Sequence, residues 1–232
     1  MINSYFLTDI RNSILEKKIV SISGESGTGK TTFALQLASS ILLKAKPYKY
    51  QCLWIQASEK FPKKRLTVMF QKKNNMLNYL LNNIFVIPDT VILTYSEQFN
   101  LLIHFEEKEL PLDIKVIVID NISHHLRYEI SQKNDIGKIS IIKNRFYDEL
   151  LFPLIMYCQR EKIALLMIHE VSADIESGTI KPFFTGLYDR INGIHISLLK
   201  QTFNEDLIMK FSYNKMCRYI KYKISNEGLV IP

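Results

Sequence analysis

Two patterns of apolar positions alternate along this chain. Short runs that are apolar almost throughout occur at residues 18–23, 52–55, 84–87, 115–120 and 163–168. Longer stretches that fit helices occur at residues 31–43, 62–73, 97–108 and 139–162. Continuous apolar strands that alternate with helices are typical of a parallel sheet with both faces covered. The pattern therefore predicts an α/β fold, a mostly parallel twisted sheet with helices on both faces.

Polar stretches and breakers refine this picture. Residues 128–137 are polar and predict a mobile loop, residues 74–83 a surface connection around a short helix, and residues 171–188 another loop. Pro153 should kink or interrupt the longest helical stretch, because proline lacks a backbone N–H. Runs at residues 193–199, 207–213 and 218–224 predict closing strands, which we expect to be antiparallel. No repeat or linker interrupts residues 1–232, which we expect to form a single domain.

A glycine loop stands between the first predicted strand and the first predicted helix. Its glycines let backbone N–H groups converge on phosphates, its lysine reaches the β- and γ-phosphates, and its threonine hydroxyl joins the ligands of a Mg²⁺ ion. The flanking strand and helix supply the context that this motif requires. We therefore expect a nucleotide and Mg²⁺ to bind at Gly24, Glu25, Ser26, Gly27, Thr28, Gly29, Lys30, Thr31 and Thr32.

Two acids extend this predicted site. Asp120 closes the fourth strand, where a carboxylate can hold Mg²⁺ through water, although an acid in that place can also cap the following turn. Glu59 follows the second strand and is the candidate base for hydrolysis, and a solvated acid at the start of the basic helix explains it nearly as well. Lys30, Asp120 and Glu59 form the predicted catalytic set.

Composition narrows the class of protein. Hydrophobic residues make up 47% and charged residues 23%, as in an ordinary globular protein. Three scattered cysteines without a Cys-x-x-Cys pair suggest neither a disulfide framework nor a zinc site, so we expect a reducing, intracellular compartment. No segment approaches the roughly 20 apolar residues of a membrane span. The net charge of +7 gives some support to a nucleic-acid partner.

One pair of residues invites a metal interpretation. His124 and His125 follow Asp120 closely. Adjacent side chains of a strand point to opposite faces, and a third ligand is not apparent in the sequence. We therefore expect no metal site at these histidines.

Four stretches resemble the recombinases of the RecA, RadA and RadB group, including the eukaryotic recombinase paralogs. They are the glycine loop, WIQASEKFPKKRL at residues 54–66, VIVIDNIS at residues 116–123, and LLMIHEV at residues 165–171 with the segment up to residue 182. They look like the family's phosphate loop, second-strand segment, Walker B strand and second DNA-binding loop, in the family's order. The resemblance implies a RecA-like P-loop NTPase core that uses ATP and Mg²⁺.

Two departures from the family's pattern bear on activity. In ungapped register the family's catalytic glutamate falls on Ser58, with Glu59 one place later, so the resemblance implies a shifted or missing base and slow hydrolysis. The glutamine that senses the γ-phosphate falls on Glu170, which therefore joins the predicted nucleotide contacts. A carboxylate there would repel phosphate unless it is protonated or metal-bound, so we expect weakened coupling of ATP to DNA binding.

The chain begins at the ATPase core of this resemblance. We therefore expect neither the family's N-terminal DNA-binding domain nor its Phe-x-x-Ala assembly segment, since residues 6–9 end in an acid. An accessory role follows, with a RadA-like recombinase or another paralog as partner in a homo- or hetero-oligomer. The expected compartment is the cytoplasm, at the nucleoid in a prokaryote, or the nucleus in a eukaryote.

Two polar stretches correspond in position to the family's DNA loops. Cations follow phosphates, and exposed aromatic rings stack on bases. A solvated helix face explains the lysines of the first stretch as well, and the phenylalanine pair of the second can instead pack against the core. The predicted contacts to single-stranded DNA are Arg127, Lys133, Lys138, Lys181, Phe183, Phe184 and Arg190.

These features favour an ATP-binding recombinase paralog that assists homologous recombination or repair. A KaiC-like signalling ATPase or autokinase is a second hypothesis, in which two consecutive acids follow the second strand, whereas Ser58 and Glu59 offer one. A third hypothesis is a non-catalytic adaptor that binds a recombinase and uses its nucleotide only to stabilise the fold.

Overall fold

Most of the chain is placed by the computed structural model. It describes residues 10, 12–14, 19–44, 49–103, 105, 110–111, 113–173, 180–183, 190–201, 206–213 and 216–232. The strands are β1 (Ile19–Gly24), β2 (Gln51–Gln56), β3 (Ile84–Ile87), β4 (Ile114–Asp120), β5 (Ala164–His169), β6 (Val171–Ala173), β7 (Ile180–Pro182), β8 (Ile194–Lys200), β9 (Leu207–Tyr213), β10 (Met216–Ser225) and β11 (Gly228–Val230). The helices are α1 (Lys30–Leu42), α2 (Lys63–Phe70), α3 (Asn74–Asn83), α4 (Tyr95–Ile103), α5 (His124–Ser131), α6 (Ile136–Arg145) and α7 (Phe152–Arg160).

Within the described residues, nine strands form one sheet in the order β11-β10-β9-β8-β1-β5-β4-β2-β3. The six strands from β8 to β3 in that order pair in parallel. Strands β9, β10 and β11 continue the sheet as antiparallel neighbours of β8. The predicted fold class, a mostly parallel sheet with antiparallel closing strands, is confirmed.

The central strands are buried on both faces, which explains why their sequences are apolar throughout. On β4, Val116 and Val118 belong to one hydrophobic cluster, and Ile117 and Ile119 belong to the other. The first cluster includes the apolar side of α1 and the inner face of the closing strands. The second includes residues of α4, α5 and α7. Burial of this kind, at roughly 25 cal/mol per Å² of apolar surface, is the main force that holds the layers together.

The prediction of a loop over all of residues 128–137 is wrong, because only residues 132–135 connect two helices there. The end of α5 and the beginning of α6 lie there, and the Asp135 carboxylate accepts hydrogen bonds from the backbone N–H groups of Gly137 and Lys138, at 2.8 and 3.3 Å. Such an N-cap stabilises the first turn of a helix. No residue of α6 is buried. Residues 139–145 of this helix lie within the helical stretch predicted for residues 139–162, whereas its first turn, from Ile136, was not predicted.

The predicted interruption near Pro153 is confirmed. Helix α6 ends at Arg145, a π-helical segment follows at Phe146–Leu151, and α7 begins with Pro153 in its first turn. A proline fits there because the first N–H groups of a helix have no partner within the helix.

The parallel strands place their carboxyl ends at one edge of the sheet. The register pairs Ser23 with His169 and Gln56 with Asp120, so the segments that follow β1, β2, β4 and β5 meet there. This is the edge at which open α/β sheets bind ligands. None of the helices that the structure describes combines the length and apolar character needed to cross a membrane.

Candidate functional site

The glycine loop turns sharply from β1 into α1 and is held in a narrow space. A Cβ atom on Gly24 would collide with the carbonyl oxygen of Leu198 and lie 2.7 Å from Oγ1 of Thr28. Gly27 and Gly29 have φ angles of +79° and +89°, which side-chain-bearing residues rarely adopt. Glycine is therefore required at these positions by the shape of the loop.

The N-terminus of α1 is a ready site for an anion. The cap residue is Gly29, no described side chain caps the helix, and its first turn contains no acid. Unpaired backbone N–H groups and the helix dipole favour negative charge at such an end. The turn is also fixed from below, because the Thr28 hydroxyl donates to the Glu25 carbonyl at 2.8 Å.

Lys30 reaches back over the loop that precedes it. Its Nζ donates hydrogen bonds to the backbone carbonyls of Gly24 and Glu25, at 2.8 and 2.9 Å. Burial lowers the pKa of the Lys30 ammonium, and the Asp120 and Glu170 carboxylates counteract that shift. Phosphate oxygens would supply further negative charge beside this partly buried cation.

Thr31 and Asp120 meet at the floor of the site. The Thr31 hydroxyl donates to Oδ2 of Asp120 at 2.9 Å, across 89 positions of sequence. A hydroxyl and a carboxylate are the hard oxygen ligands that suit Mg²⁺. Asp120 is only 3% exposed, and burial raises its pKa to about 6, although the Thr31 hydrogen bond partly offsets this.

We expect the stability of the fold to depend on pH through the buried Asp120 carboxyl. Its pKa is about 6 in the folded protein and 3.8 ordinarily, so the folded state holds the proton more tightly and stability falls as the pH rises from about 4 to about 6. Asp120→Asn removes this cost. Relative to wild type, the variant should gain about 2 kcal/mol of unfolding free energy between pH 4 and pH 7, as measured by urea unfolding.

The matched control for that prediction is Asp148→Asn, which changes an exposed acid outside the cavity. Its stability difference from wild type should not change between the two pH values. If the two variants give the same pH dependence, the buried carboxyl is not the titrating group.

A buried side chain fixes the turn that carries Glu59. Gln56 is 5% exposed; its amide donates to the Pro88 carbonyl at 2.6 Å, and its carbonyl accepts the Phe61 N–H at 3.0 Å. The backbone N–H of Ser58 bonds to the Asp120 carbonyl at 3.1 Å, which ties the turn to β4. Among the described residues Glu59, but not Ser58, lines the cavity in front of the loop.

That cavity has a volume of about 550 Å³, within the range of sites for small ligands. The predicted phosphate-loop residues line it, except Thr28, which is buried beneath the loop. Asp120, Glu59 and Glu170 line it as well. Four further lining residues were not predicted from the sequence as part of this site: Asn121, Arg127, Val171 and Ile224.

The closing strands support the loop from the side. The Tyr222 hydroxyl donates to the Thr28 carbonyl at 2.7 Å, and the Gln36 side chain makes two hydrogen bonds with the backbone of Leu229, at 2.9 and 3.1 Å. Ile224 packs so near Gly29 that an added Cβ would lie 3.0 Å from it. No local motif marks these contacts, because they join positions nearly 200 residues apart.

Glu170 is bound by two basic side chains. Its Oε1 lies 2.7 Å from Nδ1 of His124, and its Oε2 accepts a hydrogen bond from Nη1 of Arg127 at 3.0 Å. Burial opposes ionisation of the carboxyl, but the hydrogen bonds from His124 and Arg127 outweigh it and lower the pKa of Glu170. The Arg127 cation therefore offsets the negative charge by which Glu170 was expected to repel phosphate.

The two histidines lie in a helix, not in the strand that the sequence analysis assumed. His124 and His125 begin α5. His124 contacts Glu170, whereas Nε2 of the buried His125 lies 2.8 Å from the Ala57 carbonyl oxygen. Each imidazole thus has a separate partner.

The predicted DNA contacts do not all come together. The Arg127 guanidinium lies 5.7 Å from the centre of the Phe183 ring, and the Phe183 N–H bonds to the Glu170 carbonyl at 2.9 Å. Arg190 lies just before β8, near the opposite edge of the sheet, with its guanidinium 5.5 Å from the Tyr147 ring.

The remaining predicted DNA contacts are on the surface or outside the described part. Lys138 and Lys181 are exposed, and Lys133, just after α5, pairs with Glu129 at 3.0 Å. Phe184 lies outside the residues that the structure describes. Arg127 and Phe183 are therefore the two predicted contacts that the structure places next to each other.

Comparisons with known proteins agree with this geometry. A family model described as Rad51 matches residues 7–199. The DNA repair protein RAD57 of Saccharomyces cerevisiae (strain ATCC 204508 / S288c) is 31% identical over 120 residues, which cover 50% of this chain and 26% of that protein. The chain thus matches about a quarter of the length of this curated relative.

A solved structure shares the fold. The crystal structure of the RadB recombinase superposes with a TM-score of 0.69 at 18% identity, covering 92% of this chain and 90% of that chain. At this identity the likeness concerns the architecture alone.

Proposed function

Because the chain belongs to the Rad51 family, we propose that it is a recombinase paralog that binds ATP and Mg²⁺ and assists homologous recombination or DNA repair. The match to a DNA repair protein over half of the chain supports this role. The proposed site is the cavity between the glycine loop, β4 and the end of β5.

One observation carries the nucleotide part of the proposal. The Thr31 hydroxyl and the Asp120 carboxylate are 2.9 Å apart. Thr31 follows Lys30 in the first turn of α1, where no described side chain caps the helix. This arrangement offers a cation and backbone donors to the phosphates and two oxygen ligands to a metal ion. A nucleotide with bound Mg²⁺ uses the cation, the backbone donors and the two oxygen ligands together.

The chain's own residues would divide the work as follows. Backbone N–H groups of the loop and Lys30 hold the phosphates, and Thr31 and Asp120 hold Mg²⁺, which when bound neutralises charge on the phosphate oxygens. Glu59 is the proposed acceptor of the proton from the attacking water. Because Ser58 stands where the family's catalytic glutamate falls in register and Glu59 lies one place later, we propose slow hydrolysis.

The proposed DNA-binding surface begins beside this cavity. Arg127 and Phe183 contact each other and both contact Glu170, so a change at the phosphates can reach a cation and an aromatic ring of the kind that bind single strands. Lys133, Lys138 and Lys181 are proposed phosphate contacts, with Phe184 and Arg190 as further candidates.

Binding to single-stranded DNA should depend on ATP. We expect Lys30→Ala to lose the ATP-dependent part of the affinity, and Phe183→Ala to weaken binding about tenfold through loss of stacking, in fluorescence anisotropy with a labelled oligonucleotide. Phe85→Ala is the matched control, because Phe85 is an exposed phenylalanine on β3, outside the cavity lining. Equal DNA binding by wild type, Lys30→Ala and Phe183→Ala would remove the loop assignment.

We further propose a full recombinase or another paralog as the partner, in a homo- or hetero-oligomer.

The adaptor hypothesis makes a different prediction for the Lys30→Ala variant. If Lys30→Ala abolishes ATP binding yet retains partner binding and repair in cells, the nucleotide serves only the fold, and the adaptor is the better description.

A further inference from the structure

Arg127 lies between the cavity and the antiparallel pair of strands β6 and β7, which follow β5. It lines the cavity, and its Nη1 donates to Glu170 Oε2 at 3.0 Å and to the Val171 carbonyl at 3.3 Å. Its guanidinium also lies over the Phe183 ring. The same cation thus contacts the wall of the nucleotide site and the segment that leaves it.

The carboxylate that holds Arg127 has a second partner. Glu170 Oε1 lies 2.7 Å from His124 Nδ1, so the carboxylate keeps one hydrogen bond if Arg127 leaves. Its backbone is fixed separately, because the Glu170 N–H donates to the Ser123 hydroxyl at 2.9 Å and its carbonyl accepts the Phe183 N–H. For Glu170, losing the Arg127 contact therefore costs one ion pair, while Arg127 also gives up its bond to the Val171 carbonyl.

Arg127 itself is free to change partner. Its side chain is 47% exposed, and a guanidinium has five N–H donors, whereas a single nitrogen, Nη1, makes the bonds to both Glu170 and Val171. A terminal phosphate carries more negative charge than a carboxylate and binds arginine through paired hydrogen bonds. It is thus a strong competitor for this cation.

We propose that Arg127 is the residue by which this site distinguishes a nucleoside triphosphate from a diphosphate. It exchanges the Glu170 carboxylate for the terminal phosphate, and Glu170 stays with His124. Glu170 is then a competitor that lowers triphosphate affinity, not a phosphate ligand. This inference rests on the proposed nucleotide function and specifies which side chain reads the length of the phosphate chain.

A double-mutant cycle tests the exchange. Affinities for Mg–ATP and Mg–ADP are measured by calorimetry on wild type, Arg127→Gln, Glu170→Gln and the double variant. Arg127→Gln should lower the ratio of ATP to ADP affinity about tenfold, the worth of a charge-assisted hydrogen bond. Glu170→Gln should raise that ratio severalfold, because Arg127 no longer has to leave a carboxylate.

The double variant separates two effects of Glu170→Gln. Removal of a negative charge near phosphate acts in both backgrounds, whereas release of Arg127 acts only where Arg127 is present. The gain in the ATP to ADP ratio should therefore be larger in the wild-type background than in Arg127→Gln. Equal gains would overturn the exchange.

The matched control cycle uses Arg160→Gln and Glu161→Gln, which break an exposed arginine and glutamate pair 2.8 Å apart on the surface, outside the cavity. It should leave the ratio unchanged. If wild type binds both nucleotides and Arg127→Gln keeps the wild-type ratio, the inference is wrong and the proposed function stands. If wild type binds neither nucleotide, the proposed function itself is wrong.

Discussion

Lys30→Ala is expected to weaken the binding of Mg–ATP by at least about a hundredfold, because hydrogen bonds from an ammonium to phosphate contribute about 1.5–3 kcal/mol each. In the structure the Lys30 Nζ bonds to two loop carbonyls, so it is already held at the rim of the cavity. Truncation removes the cation, and the backbone donors of α1 alone remain. Calorimetric titration of each protein with Mg–ATP measures the difference.

Lys72→Ala is the matched control for Lys30→Ala, since Lys72 is exposed and lies outside the cavity. It should bind ATP as wild type does. Melting temperatures of the three proteins without nucleotide show whether Lys30→Ala has kept its fold. A folded Lys30→Ala protein with wild-type affinity would mean that the cavity is not a phosphate site.

Glu59→Gln is expected to slow ATP cleavage by about a hundredfold in a single turnover while ATP still binds, because glutamine cannot accept the proton of the attacking water. The change keeps the size of the side chain and removes only its basicity. Glu59 lies on the turn that Gln56 and the Asp120 carbonyl hold against β4, so the backbone should be unaffected. Quenched-flow measurement with labelled ATP gives the rate even where steady turnover is slow.

Two variants accompany this measurement. Ser58→Ala changes the position on which the family's catalytic glutamate falls in register, and Glu149→Gln changes an exposed acid outside the cavity. Both should cleave ATP at the wild-type rate. A Glu59→Gln protein that also does so would show that Glu59 is a solvated acid and that the base lies elsewhere or is missing.

The strands of the sheet could be located from sequence because burial on both faces makes them apolar without interruption. Residues Val116, Ile117, Val118 and Ile119 are all fully buried, and their run was the clearest signal in the chain. Helix α6 shows the opposite case. None of its residues is fully buried, so the apolar pattern at its beginning is weak, and the predicted helical stretch starts at residue 139 instead of 136; Asp135 as an N-cap marks the start.

The candidate phosphate loop could be predicted because the residues that it needs are close together in sequence. Gly24, Lys30 and Thr31 lie within eight positions, and the strand and helix around them dictate where they point. Asp120 was found for a similar reason, as the acid that ends a buried strand. Arg127 was predicted only as a DNA contact, whereas the structure also places it in the lining of the cavity. A basic residue in a polar stretch has the same sequence pattern in both places.

The place of the candidate nucleotide site at the edge of a parallel sheet therefore follows from residue order alone, since neighbouring residues of a strand, loop and helix constrain one another through the backbone. The partners of that site follow only from the folded chain. Tyr222 beneath Thr28, Ile224 beside Gly29, and Arg127 on Glu170 are brought together by sheet register and by the docking of the closing strands. Side-chain contacts of such long sequence separation depend on how the layers pack, and no pattern within either segment specifies the other.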